Sequence, residues 1–100
     1  MHSSGEIWIL FKVAELAKRC GLRASDVVAC FEDESEKPCL SFLIRDVATL
    51  PPERIQIFNE LLGVEKGHDP RFGELTYTSF GELEDLVENA LAKAPRPRQR

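Results

Sequence analysis

Leu16-Ala-Lys-Arg-Cys-Gly21-Leu-Arg-Ala-Ser-Asp26-Val-Val-Ala-Cys-Phe31 is the stretch that decides the architecture. Its first part closes an amphipathic helix. Ile7, Leu10, Phe11, Ala14, Ala17 and Cys20 recur at helical spacing, and Val13 and Leu16 widen the stripe. Lys12, Glu15, Lys18 and Arg19 take the other side, with Trp8 at the edge of the stripe. Gly21 suits the left-handed position just past a helix end, and Leu22 can make the apolar contact of a Schellman motif. The following run, Val27–Phe31, is short enough to be a second helix or a strand on periodicity alone.

The flanking sequence favours the strand. Residues 26–32 and 39–45 are rich in Val, Phe, Ile and Leu, and the polar segment Asp33-Glu-Ser-Glu-Lys-Pro38 separates them, which predicts an antiparallel hairpin. In the second run Leu40, Phe42 and Ile44 share one face, and Cys39, Ser41 and Leu43 the other. Pro51-Pro52 opens a second helix with the buried stripe Ile55, Phe58, Leu61 and Leu62, closed by Gly63-Val64. Residues 65–71 read as a loop and 72–78 as a half-exposed strand at a sheet edge. Ser79-Phe-Gly-Glu82 is a capping box for a third helix with the stripe Phe80, Leu83, Leu86, Val87, Ala90 and Leu91, and Ser3-Ser-Gly-Glu6 is another for the first. The predicted fold is α+β in two layers, order α-β-β-α-β-α, with a small, mostly antiparallel sheet packed by three helices. Its expected core is Leu10, Phe11, Ala14, Ala17, Val27, Ala29, Phe31, Leu40, Phe42, Ile44, Ile55, Phe58, Leu62, Leu75, Leu83, Leu86, Val87 and Leu91.

The other reading of the deciding stretch carries a function. Ala17, Gly21 and Val27 have a spacing that resembles the helix-turn-helix of bacterial repressors, over residues 16–31. That resemblance implies a DNA-binding transcriptional regulator with its second helix in the major groove. Asp26, Val28 and Ala29 would then face the DNA, a carboxylate and two apolar groups that cannot bond a phosphate. The secondary structure of residues 26–32 discriminates: helical supports DNA recognition, extended removes it.

Charge points the same way. The chain has 13 basic and 17 acidic residues for a net −4. Three of the arginines lie in residues 96–100, so residues 1–95 hold ten basic groups against seventeen acidic ones, net −7. Such a body repels phosphate backbones and favours basic partners. Residues 1–94 are expected to form one domain and 95–100 a flexible basic tail. The N-terminus lacks the basic and apolar regions of a signal peptide, and no apolar run approaches the roughly 18 residues of a membrane span. A cytoplasmic protein that avoids membranes is the expectation.

No motif names a reaction. Cys20, Cys30 and Cys39 are unevenly spaced without a Cys-x-x-Cys pair, and read as small buried hydrophobes. His68-Asp69 could form an acid–base pair, or a Cys–His pair with a thiol, but Gly-His-Asp-Pro is ordinary turn chemistry. No metal site, cofactor or catalytic residue is predicted. Two acidic surfaces remain as candidate partner-binding residues: Glu32, Asp33, Glu34 and Glu36 in the hairpin, and Glu84, Asp85 and Glu88 on the third helix. The element order is loosely similar to that of small acidic chaperones of bacterial secretion systems, which implies a binding role. The expectation is a non-enzymatic protein-interaction module, an adaptor, inhibitor, immunity protein or chaperone-like regulator. Its partner would be another protein, basic in character, and sheet-edge pairing or helix packing could make a homodimer.

Overall fold

The deciding stretch is a capped helix, a turn and a strand. The computed structural model describes residues 4–32, 38–66 and 71–96. Helix α1 spans Ser4–Arg19 and ends in a Schellman motif: Leu22 N–H donates to Ala17 C=O at 2.9 Å and Gly21 N–H to Lys18 C=O at 3.0 Å. Gly21 has φ +85°, and an added Cβ would meet Arg54 Cδ at 2.9 Å. A single 3₁₀ turn, Ala24–Asp26, then leads into strand β1, Val27–Glu32. The helix-turn-helix reading of residues 16–31 is therefore corrected: its second helix is absent, because alternate residues of the run pack inward on a sheet. Asp26 is buried in that turn. It receives Arg23 Nε at 2.9 Å and Nη2 at 3.3 Å, while its C=O accepts Arg45 N–H at 2.7 Å.

Strand β2, Cys39–Ile44, pairs with β1 in antiparallel register, Val27 opposite Ile44 and Glu32 opposite Cys39. Helix α2 covers Pro52–Leu62 and stops at Gly63 (φ +73°), where Val64 N–H donates to Asn59 C=O at 2.9 Å. Strand β3 is only Glu65–Lys66, β4 is Phe72–Thr76 and helix α3 is Phe80–Lys93. The sheet order is β1-β2-β4-β3, antiparallel throughout. The main elements thus follow α-β-β-α-β-α, as the sequence predicts. One expectation changes: β4 is not an edge, because Glu65 and Lys66, expected in a loop, pair with Glu74 and Gly73.

The three helices cover one face of the sheet, with α3 packed against both α1 and α2. Leu40, Phe42, Ile44, Leu75 and Tyr77 meet Ile9, Val13, Leu16, Phe58, Leu62, Leu83 and Val87 in one core. The Phe42 and Phe58 rings meet edge to face with centroids 5.8 Å apart. Helix α1 turns differently from expectation. Ile9, Val13, Leu16 and Ala17 are buried, Leu10 and Ala14 half-buried, and Phe11 is 71 % exposed. Residues 7–11 are apolar without a break, so their spacing cannot choose a side, and packing on the sheet and α3 does.

Both strand ends of α3 are tied down locally. Ser79 Oγ accepts Glu82 N–H at 3.2 Å, and the Glu82 carboxylate accepts from the N–H and hydroxyl of Thr78 rather than from the Ser79 amide. At the other end Arg19 Nη1 donates to Leu91 C=O at 3.2 Å, joining the ends of α1 and α3. Ser3, the cap expected for α1, lies outside the described residues, as do the tail positions 97–100.

Candidate functional site

The two predicted acidic surfaces lie on opposite sides of the sheet. Glu32 belongs to the face that no helix covers, together with Val28 and Cys30 of β1, Cys39, Ser41 and Leu43 of β2, and Phe72, Glu74 and Thr76 of β4. Its carboxylate is occupied locally: Ser41 Oγ donates to Oε2 at 3.0 Å, and Cys39 Sγ lies 3.6 Å from the same oxygen. Glu32 therefore organises its neighbours on the sheet. Asp33, Glu34 and Glu36 fall outside the described residues.

Glu84, Asp85 and Glu88 do come together. With Glu82 they line a shallow, open groove of about 670 Å³ along α3, and α1 contributes Trp8 to its wall beside Leu86. Four carboxylates and no basic side chain line it. Lys12 Nζ sits 5.3 Å from the centroid of the Trp8 ring, so the indole already holds one cation at the groove's border. Trp8 and Leu86 are the groove residues that sequence reasoning missed. Trp8 read as the edge of a helical stripe and Leu86 as core; only the packing of α1 on α3 brings them beside the carboxylates.

The helix dipole does not account for this acidity. Glu82 is in the first turn, where a negative charge is favourable, but the effect fades beyond that turn. Glu84 and Glu88 are four apart and Asp85 and Glu88 three apart, spacings at which like charges cost a helix about 0.2–0.5 kcal/mol per pair. Among the described residues no basic side chain forms an ion pair with Glu84, Asp85 or Glu88; the ion pairs there are Arg19–Glu15 and Arg23–Asp26. No family model matches this sequence, and neither a curated protein nor a solved structure matches it.

The thiols divide by environment. Cys20 is buried at the end of α1, and loss of solvation pushes it up to about 11 from an ordinary 9.0. Cys39 is raised as well, chiefly by burial, against which the Ser41 hydroxyl pulls it down. Cys30 is exposed, which corrects the expectation that all three thiols are buried. In the folded protein at pH 8, Cys30 is expected to react with a maleimide within minutes, and Cys20 and Cys39 at least 50-fold more slowly. Because the folded state holds the Cys20 proton more tightly than the unfolded chain, this thiol's contribution is complete below pH 9 and fades between about pH 9 and 11. Equal labelling rates for the three thiols would contradict this placement. His68, the proposed partner for a catalytic thiol, lies outside the described residues. Among the described residues no three His, Cys, Asp or Glu side chains converge on a point that could hold a metal ion, and no helix is long and apolar enough to cross a membrane.

Proposed function

We propose that this chain is a non-enzymatic protein-interaction module whose α1/α3 groove receives a basic segment of another protein. The observation that carries the reading is the set Glu84, Asp85 and Glu88, unpaired and mutually repelling on one helix, beside Trp8 and Leu86. A helix that keeps like charges at these spacings loses stability on its own and regains it when cations arrive. Arginine and lysine side chains suit such a groove on both counts: their charge meets the carboxylates and their stems and planar heads pack on an indole. Complementary charge of this kind steers association and selects partners. The acidic body of residues 1–95 adds long-range attraction for the same partners and repels nucleic acid. An adaptor, inhibitor or chaperone-like regulator of the cytoplasm fits these properties.

The chain's single tryptophan gives the test its signal. Titration with a decapeptide of four arginines, two leucines and four glycines is expected to change Trp8 emission, with affinity falling as salt rises. The triple variant Glu84→Gln, Asp85→Asn, Glu88→Gln is expected to weaken binding at least tenfold, roughly 1.4 kcal/mol or about 0.5 per charge. Affinity unchanged within twofold in that variant would overturn the groove as the binding surface.

A further inference from the structure

We infer that the β1 edge and the outer flank of α1 form a self-complementary surface that takes a second copy of this chain, joined through antiparallel β1–β1 pairing. This surface is separate from the α1/α3 groove and does not depend on the reading of that groove.

The sheet has two unequal edges. One is β3, two residues long; the other is β1, six residues of Val-Val-Ala-Cys-Phe-Glu. A long apolar edge is a template for another strand unless something blunts it. Peptide groups alternate in direction along an antiparallel strand. Asp26 C=O accepts from Arg45, so the groups of Val28, Cys30 and Glu32 face β2 and both groups of Ala29 face away from the sheet. Val27 N–H is already given to Ala24 C=O, while its C=O also faces outward. Two copies related by a two-fold axis at Ala29 would exchange N–H···O=C bonds there. Val27 then falls opposite Phe31 of the second copy, and Val28 opposite Cys30, with no charge among these pairs.

Charge selects the antiparallel arrangement. The β1–β2 hairpin has a basic end, where Arg23 is 70 % exposed and Arg45 is exposed, and an acidic end at Glu32, beyond which the sequence continues Asp33-Glu-Ser-Glu36. Two-fold pairing places the basic end of each copy beside the acidic end of the other. Parallel pairing would set like against like.

The helix above the edge adds apolar area. Helix α1 packs on β1 and on the turn before it, and meets α3 on one side through Gly5, which lies against the Phe80 ring, and Arg19. At about 100° per residue, Leu10 and Ala14 come round to the side away from α3, followed towards solvent by Ile7 and Phe11. Ile7 is 45 % and Phe11 71 % exposed, large apolar side chains with no cover in one chain. The strand edge and this helix flank together measure about 20 Å by 20 Å, at the small end of specific interfaces. The dimer is therefore expected to be concentration-dependent, with Kd of order 10–100 µM.

Sedimentation velocity from 5 to 500 µM tests the inference. The mass of the intact chain is expected to rise from 11.3 kDa towards twice that value. Ala29→Pro removes the outward N–H without touching a bond to β2, and is expected to raise Kd at least tenfold. Phe11→Lys, at a position too exposed to disturb folding, is expected to raise it three- to tenfold. Phe72→Lys, on the uncovered sheet face, and the groove triple variant are expected to leave it unchanged. A mass of 11.3 kDa at every concentration overturns the inference, as does a dimer that survives both Ala29→Pro and Phe11→Lys.

Discussion

Phe42→Ala is expected to remove about 3–5 kcal/mol of stability, the range for truncating a buried aromatic. Phe42 is 1 % exposed on the central strand β2, and its ring meets Phe58 of α2 edge to face, so the deletion opens a void between sheet and helix. A domain of this size has about 5–15 kcal/mol in all, so the variant loses a large share of its margin. Urea titration followed by circular dichroism measures the change. A double-mutant cycle with Phe58→Ala should recover a coupling of about 0.5–1.5 kcal/mol, the worth of an aromatic pair beyond its burial. Phe11→Ala is the internal comparison. At 71 % exposed it should change the stability of the single chain by no more than about 0.5 kcal/mol. If Phe11→Ala cost as much as Phe42→Ala, the rotation of α1 described above would be wrong.

Gly73→Ala is expected to cost about 2–3 kcal/mol for a steric reason. Gly73 is buried on β4 opposite Phe42, and Val64, which links α2 to β3, lies over it. A Cβ at position 73 would overlap Val64 Cγ1, and both atoms belong to short, stiff groups that cannot swing aside. Glycine here is a matter of space between two segments rather than of backbone angle. The same substitution in a Val64→Ala background should cost under about 1 kcal/mol, because the obstructing methyl is gone. Additive costs in the two backgrounds would refute the overlap as the cause.

Those two positions also mark what the sequence made legible. Phe42 could be placed inside because Leu40, Phe42 and Ile44 alternate with smaller or polar neighbours, a pattern that belongs to a strand with one covered face. Gly21 and Gly63 announced helix ends for a similar local reason: each is followed by an apolar residue that closes the cap. Gly73 carried no such sign, since its need arises from Val64, nine residues earlier, and only the sheet brings the two together. The short strand β3 was hidden likewise, because two residues hold no periodicity. The candidate site was half legible. Glu84, Asp85 and Glu88 share a surface by helical spacing alone, but Trp8 reaches them across the α1–α3 contact, and Glu32 was separated from them by the sheet. Phe11 was assigned to the wrong side because five apolar residues in succession offer every face of the helix equally.

The clasp between Arg19 and Leu91 has a consequence in time. Its partners are 72 residues apart in the chain, and α1 finds its main helical neighbour only in α3. At a synthesis rate of about 5–20 residues per second, α1 leaves the ribosome roughly 4–14 s before α3 can reach it. During that interval Ile9, Val13 and Leu16 stand as open to water as Ile7 and Phe11 do in the finished fold. Helix α1 is thus the nascent segment that a holding factor, or a neighbouring chain on the same message, would meet first.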